Sequence, residues 1–133
     1  MSATRVIRFM TSQFDVTQER PNPINPIAGE SLLRWLQQRA YPRFEISEPD
    51  AEDWGWYSSV SCNGREYMLG TSASDEEENG EREWVLQIIK QRSLGERFLG
   101  RAQLEADDEL VLFFQGLFEK EKGFKDVSID PEL

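Results

Sequence analysis

The sequence contains no histidine and only one cysteine, Cys62, among its 133 residues. Without histidine, Ser-His-Asp and Cys-His nucleophile systems cannot form, and no imidazole can act as a general acid or base. Zinc sites built from cysteine and histidine are excluded for the same reason. A lone cysteine cannot form a disulfide within the chain, so we expect a reducing, cytoplasmic location.

Long apolar runs and phosphate-binding loops are also missing. The longest apolar run is five residues, Leu110 to Phe114, whereas a membrane-spanning helix needs about 20. No glycine cluster leads into Lys-Ser/Thr, and no G-x-G-x-x-G occurs. The stretch Asp75–Gly80 resembles the opening of a calcium loop, but Leu86 occupies the position of its bidentate glutamate. We therefore expect no membrane segment, no cofactor and no dedicated metal site.

The composition is that of a folded protein. Hydrophobic residues make up 38% of the chain, and eight Phe, four Trp and three Tyr supply enough bulk for a core. Residues 1–133 are near the usual size of one domain, and no linker divides them. We expect a single domain.

The formal net charge is −10, and its distribution is uneven. Glu45–Glu83 contains twelve acidic and two basic residues, whereas acidic and basic residues balance in the rest of the chain. An acidic surface repels nucleic-acid phosphates, which need a basic face, so direct nucleic-acid binding is not expected. The acids form two clusters. The first contains Glu45, Glu48, Asp50, Glu52 and Asp53, and the second contains Asp75, Glu76, Glu77, Glu78, Glu81 and Glu83.

The clearest local signal is a β-hairpin. Asn63-Gly64 tolerates the positive φ angles of a type I′ turn, so it predicts strands over Trp54–Cys62 and Arg65–Ala73. This register places Val60 opposite Tyr67 and Ser58 opposite Leu69. A second Asn-Gly pair, at residues 79–80, can close another hairpin, but it sets Glu78 opposite Glu81 and Glu76 opposite Glu83. Since opposed like charges are destabilising, we expect Asp75–Glu81 to fray into a mobile loop, with pairing only from about Trp84 inward.

The remaining elements follow from hydrophobic periodicity. The pattern predicts strands over Val6–Met10, Trp84–Ile89 and Val127–Ile129, and helices over Glu30–Ala40, Leu94–Leu99 and Ala106–Lys122. The proline-rich stretch Gln18–Gly29 is expected to cross the surface as an extended connector with Ile24 and Ile27 tucked in. We therefore predict an α+β fold in the order β-α-β-β-β-α-α-β, with an antiparallel sheet of four or five strands and helices on one face.

The stretch Asp53-Trp54-Gly55-Trp56-Tyr57 allows two interpretations. Trp54 and Trp56 fall on one strand face, where they can be core residues. Alternatively, one of them stays exposed and serves as an aromatic anchor ringed by acids, which is typical of interface hot spots.

Two classes of function are compatible with these features. The first is a non-catalytic acidic module that binds a basic protein, for example an inhibitor or immunity-type protein that neutralises a nucleic-acid-binding partner. Its predicted contact residues are Glu48, Asp50, Glu52, Asp53, Trp54, Trp56, Glu76, Glu77 and Glu78. The second is a small-ligand-binding protein or carboxylate-dependent enzyme, with a pocket lined by Trp35, Trp54, Trp56 and Tyr67. The sequence leaves the oligomeric state open.

Overall fold

A computed structural model describes residues 4–75, 77–91, 104 and 108–130 of the chain. In chain order the elements are β1 (Thr4–Thr11), a 3₁₀ turn (Val16–Gln18), α1 (Glu30–Ala40), β2 (Asp50–Glu52), β3 (Gly55–Cys62), β4 (Arg65–Ala73), β5 (Arg82–Lys90), α2 (Glu109–Lys120) and β6 (Lys125–Asp130). The strands form one antiparallel sheet in the order β2-β3-β4-β5-β1-β6.

The α+β class is confirmed, but the expected number of four or five strands is wrong, because the described residues form a sheet of six. The extra strand, β2, is three residues long and carries two acids, so it has no hydrophobic pattern that marks a strand. The predicted helix over Leu94–Leu99 lies outside the described residues. In the described part of the chain, α1 and α2 share one core with the sheet. Its fully buried members include Leu32, Leu33 and Leu36 of α1, Phe114 and Phe118 of α2, and Phe9, Leu69, Trp84 and Leu86 of the sheet.

The central hairpin has the predicted geometry. Asn63 and Gly64 have φ angles of 52° and 76°, and Val60 and Ser58 lie opposite Tyr67 and Leu69. Positive φ at both turn positions matches the right-handed twist of the flanking strands, which fixes the register. Helix α1 also spans the predicted residues Glu30–Ala40.

Helix α2 is shorter than the predicted Ala106–Lys122, since its last residue is Lys120 and its N-cap is Asp108. One carboxylate oxygen of Asp108 accepts a hydrogen bond from the Leu110 amide (2.9 Å), which caps the helix. The other accepts one from the Tyr67 hydroxyl of β4 (2.8 Å). Burial and this carboxylate raise the pKa of the Tyr67 phenol, so the group remains a donor at neutral pH. Asp108 thus ties the helix start to the sheet.

We expect Tyr67→Phe to lower the free energy of unfolding by about 1–2 kcal/mol, because it removes a charge-assisted hydrogen bond from a half-buried carboxylate. Tyr57→Phe is the matched control, since no described residue binds the Tyr57 hydroxyl, and it should change stability by less than about 0.5 kcal/mol. Urea titration of both variants measures the difference. Equal losses would show that the Tyr67–Asp108 bond adds nothing.

The tip of the β4–β5 hairpin departs from the prediction. The regular ladder ends at Ala73 opposite Trp84, as expected, but the tip is closed rather than frayed. Glu78 and Glu81 exchange backbone hydrogen bonds of 2.7 and 3.0 Å around Asn79-Gly80. The arm before the turn carries extra residues, so the Ser74 amide donates to the carbonyl of Glu83. Glu83 is thus opposite Ser74, while the predicted opposition of Glu83 to Glu76 lies outside the described residues.

Candidate functional site

The first acidic cluster lies along one border of the sheet. We call Glu45, Glu48, Asp50, Glu52 and Asp53 the acidic edge. β2 is the outermost strand on this side, and the segment before it continues along β3 through a hydrogen bond from the Ser47 amide to the Ser59 carbonyl (2.9 Å). Four of the five side chains belong to exposed residues, and Glu52 is half-buried.

Only one member of the acidic edge is paired with a base among the described residues. Glu48 binds Arg34 of α1 at 2.5 Å and also accepts from Gln37 (3.2 Å). These donors lower the pKa of the Glu48 carboxyl, Arg34 contributing most. The other four carboxylates contact no arginine or lysine in the described part of the chain, so their charge is free to act on a partner.

The connector Gln18–Gly29 holds in place the Glu52–Gly55 turn, which ends the acidic edge. The Asn22 amide nitrogen donates to the carbonyls of Glu52 (3.0 Å) and Gly55 (2.9 Å), and that of Asn25 donates to the carbonyl of Asp53 (2.8 Å). The expectation that Ile24 is tucked in is wrong, since it is 57% exposed. The backbone amide of Ile24 instead donates to the side-chain oxygen of Asn22 (2.9 Å), which favours a turn with Ile24 at its surface.

A buried carboxylate fixes the same connector to α1. Glu30 is 5% exposed and accepts hydrogen bonds from both the amide and the guanidinium of Arg20, while Arg34 lies 3.4 Å away. Arg20 also donates to the carbonyl of Pro49, next to the acidic edge (2.9 Å). Burial by itself raises the pKa of Glu30, but Arg20 and Arg34 outweigh it, so the net pKa is lowered.

We expect Glu30→Gln to cost about 1–2 kcal/mol of stability at pH 7, because charge-assisted hydrogen bonds from a partly exposed Arg20 are lost. A lowered carboxyl pKa stabilises the fold above the unfolded value near 4.5 and ceases to do so as the pH falls through the folded value. The gap between wild type and variant should therefore close in acid. Denaturant midpoints at pH 7 and pH 3 measure it, and a gap that persists unchanged at the lower pH would contradict the ionic origin.

The second acidic cluster is largely neutralised within the chain. Glu77 pairs with Arg82 (2.7 Å), Glu81 with Lys125 (3.0 Å) and Glu83 with Arg8 (3.8 Å). Glu78 and Asp75 are exposed with no base beside them among the described residues, and Glu76 lies outside those residues. The strand register places this hairpin tip and the Glu52–Gly55 turn at the same end of the sheet. Among the described residues, only the acidic edge keeps most of its charge uncompensated.

The two tryptophans of the candidate site lie on different faces, which corrects the expectation of one shared face. Trp56 is 2% exposed and belongs to the core, with the Arg20 guanidinium over its ring at 5.1 Å. Trp54 is half-buried, and its ring covers Gly70, where an added Cβ would lie only 2.6 Å from it. β3 begins at Gly55, whose φ of 148° breaks the alternation assumed for a continuous strand. Of the two, Trp54 is the side chain a partner can reach.

A groove of about 1000 Å³ adjoins the acidic edge. It runs between the end of α1 and β3, and its lining includes Tyr41, Glu45, Glu48, Ser59, Ser61 and Glu66. Tyr41 is 67% exposed, the largest exposed aromatic surface in the described part of the chain. No sequence pattern marks Tyr41, because a tyrosine after a helix end can be exposed or packed with the same neighbours along the chain.

The pocket named for the small-ligand alternative is not formed by its four side chains. Trp35, Trp56 and Tyr67 are at most 9% exposed in the core, whereas Trp54 lies on the other face of the sheet. Cys62 is buried as well, and burial with nearby Glu109 and Asp108 raises the pKa of its thiol. Among the described residues, no three acidic or cysteine side chains group closely enough to hold a metal ion.

Comparison of the chain with models of protein families, with functionally characterised proteins and with solved structures finds no match. In the described part of the chain, neither helix has the length and apolarity to cross a membrane. The cytoplasmic location stays a prediction.

Proposed function

We propose that this protein is a non-catalytic module that binds a basic protein through the acidic edge. The observation that carries the proposal is the contrast between the two acidic clusters. In the second cluster, three carboxylates form ion pairs with Arg82, Lys125 and Arg8. In the acidic edge, four of the five carboxylates have no base as a partner among the described residues.

The surroundings of the acidic edge support protein binding in particular. An exposed Tyr41 and a half-buried Trp54 lie beside the carboxylates, and aromatic side chains with a charged rim are typical of interfaces. The groove next to Tyr41 gives a partner side chain a place to enter. Asn22, Asn25 and Arg20 hold the edge backbone, so binding does not need to order it.

The expected partner is a protein that itself binds nucleic acid, because such a protein presents a basic face of matching charge. Occupying that face would neutralise the partner, as an inhibitor or immunity-type protein does. We place the protein in the cytoplasm in this proposal, because the lone thiol of Cys62 stays reduced there.

The test starts from the proteins that the tagged chain captures from its own host at low salt. We expect a basic protein whose association slows as salt is added, because charges separated by more than about 10 Å are screened at 0.1 M ionic strength. Reversing Asp50, Glu52 and Asp53 to Lys should lower the association rate at least about tenfold and flatten its salt dependence.

The matched control reverses Asp75, Glu78 and Glu119 to Lys, which changes the net charge equally at exposed sites outside the acidic edge. This control should bind with a rate within about threefold of wild type. Equal loss in both variants would assign the effect to net charge rather than to the edge. Wild-type binding by the first variant, or capture of no basic protein, would overturn the proposal.

A further inference from the structure

The groove beside the acidic edge opens where two segments of the chain diverge. The segment before β2 pairs with β3 up to Ser47, whose amide donates to the carbonyl of Ser59 (2.9 Å) and whose hydroxyl accepts from the Ser59 amide (2.8 Å). Beyond this pair, the side chain of Gln37 binds the carbonyls of Ile46 (3.1 Å) and Ser47 (3.2 Å), and Ile46 is buried in the core. These contacts draw the segment from β3 toward α1, and the groove of about 1000 Å³ lies between them.

The divergence leaves the edge of β3 open at Ser61. Backbone hydrogen-bonding groups alternate in direction along a strand, and those of Ser59 point toward Ser47, away from β4. Those of Ser61, two residues further on, point the same way, and no described residue bonds to them. An open strand edge is a place where another extended chain can pair through its backbone.

The side chains that line the groove give it a negative charge. Glu45 and Glu66 are exposed with no base within ion-pair distance among the described residues, and Glu66 accepts a hydrogen bond from the Ser61 hydroxyl. The one base in the described lining, Arg43, is already bound to Glu109 (3.1 Å). The groove therefore offers unpaired carboxylates next to an unpaired backbone edge.

Tyr41 adds an aromatic surface to this acidic groove. It directly follows α1, and its ring is the largest exposed aromatic surface among the described residues. Aromatic faces attract cations, and arginine in particular stacks on them while its guanidinium bonds to carboxylates. A ring exposed beside unpaired carboxylates therefore suits an arginine side chain better than an apolar one.

We propose that the groove takes an extended, arginine-containing segment of the basic partner, which adds to β3 at Ser61 as a short strand. The backbone of that segment bonds to the open edge, and one of its alternate side chains brings a guanidinium to the ring of Tyr41 and the carboxylates of Glu45 and Glu66. Charge complementarity selects this occupant over an apolar peptide, which would leave the carboxylates unpaired. The inference rests on the proposed function, since it specifies which part of a basic protein the groove holds.

A blocked peptide of about five residues that alternates valine and arginine is the probe. In an NMR titration of the full, isotope-labelled chain, we expect saturable shifts at the Ser61 amide and the Tyr41 ring, with a dissociation constant of about 0.1–1 mM. Two N-methylated forms of the peptide, each lacking every second backbone donor, separate strand pairing from charge attraction, because only one edge of an added strand meets β3. One form should bind at least about fivefold more weakly than the other, since it loses hydrogen bonds to that edge.

Side-chain variants test the arginine contact. Tyr41→Leu removes the aromatic face and Glu66→Gln removes a charge, so each should weaken peptide binding about threefold, and the double variant about tenfold. Tyr57→Leu and Glu78→Gln are the matched controls, because they make the same changes outside the groove lining, and they should bind the peptide as wild type does. Circular dichroism checks that each variant folds.

Three results would overturn the strand addition: no saturable binding below about 10 mM, shifts confined to residues 50–53, or equal binding of the two methylated peptides. The proposed function would still stand if reversal of Asp50, Glu52 and Asp53 slows the captured partner, since those residues do not line the groove. The converse result, a peptide bound in the groove but no basic protein captured, would overturn the proposed function and leave the groove as a site for an extended basic segment.

Discussion

Phe114→Ala is expected to lower the free energy of unfolding by about 3–5 kcal/mol, a large part of the 5–15 kcal/mol typical of a domain. Phe114 is fully buried in the core that α2 shares with the sheet, so truncation removes buried apolar area and leaves a cavity. Denaturant titration measures the loss.

The neighbouring Leu112 provides the control, because it is on the same helix but 52% exposed. Leu112→Ala should cost less than about 1 kcal/mol under dilute conditions. A loss below about 1 kcal/mol for Phe114→Ala would mean that this side of α2 does not form the core, and the packing of helices on one sheet face would be wrong.

Gly55→Ala is expected to cost more than about 3 kcal/mol, because two penalties coincide. The φ of Gly55 is 148°, a conformation that L side chains rarely adopt, and an added Cβ would lie 2.1 Å from the carbonyl oxygen of Thr71. The backbone of β4 belongs to the centre of the sheet and cannot move away cheaply. In the variant, the corner between β2 and β3 must therefore open, and this displaces the end of the acidic edge.

Gly64→Ala is the comparison, since Gly64 also has positive φ (76°) but nothing lies within 4 Å of an added Cβ. It should cost about 1 kcal/mol, the backbone penalty alone. Thermal or urea unfolding of the two variants gives the difference. Equal costs would show that the close approach of Gly55 to Thr71 does not constrain the corner.

The parts of the fold that were predictable from the sequence depend on local chemistry. Asn63-Gly64 fixes a turn type, the turn type fixes a register, and the pairs Val60–Tyr67 and Ser58–Leu69 follow. The leucine spacing of α1 predicts its bounds for the same reason. β2 and the closed tip at Asn79-Gly80 were missed because they depend on backbone pairing and distant bases such as Lys125, which no local pattern contains.

The sequence predicts which carboxylates cluster at the candidate site, but not which of them are neutralised by nearby bases. Sequence alone shows where carboxylates cluster, and it places the Glu52–Gly55 turn and the β4–β5 tip at one end of the sheet. Which of them are neutralised depends on side chains brought in by the fold, such as Arg8 from β1 beside Glu83 of β5. The placement of Trp54 on the far face likewise follows from a single glycine dihedral, that of Gly55.

Amide hydrogen exchange of the complex with the captured basic partner tests most directly that the acidic edge is the binding surface. We expect slowed exchange over residues 45–53 and at the exposed edge of β3 around Ser61, with the hairpin tip at residues 77–81 unchanged. Protection confined to the hairpin tip, or spread over α2 with none at residues 45–53, would contradict it.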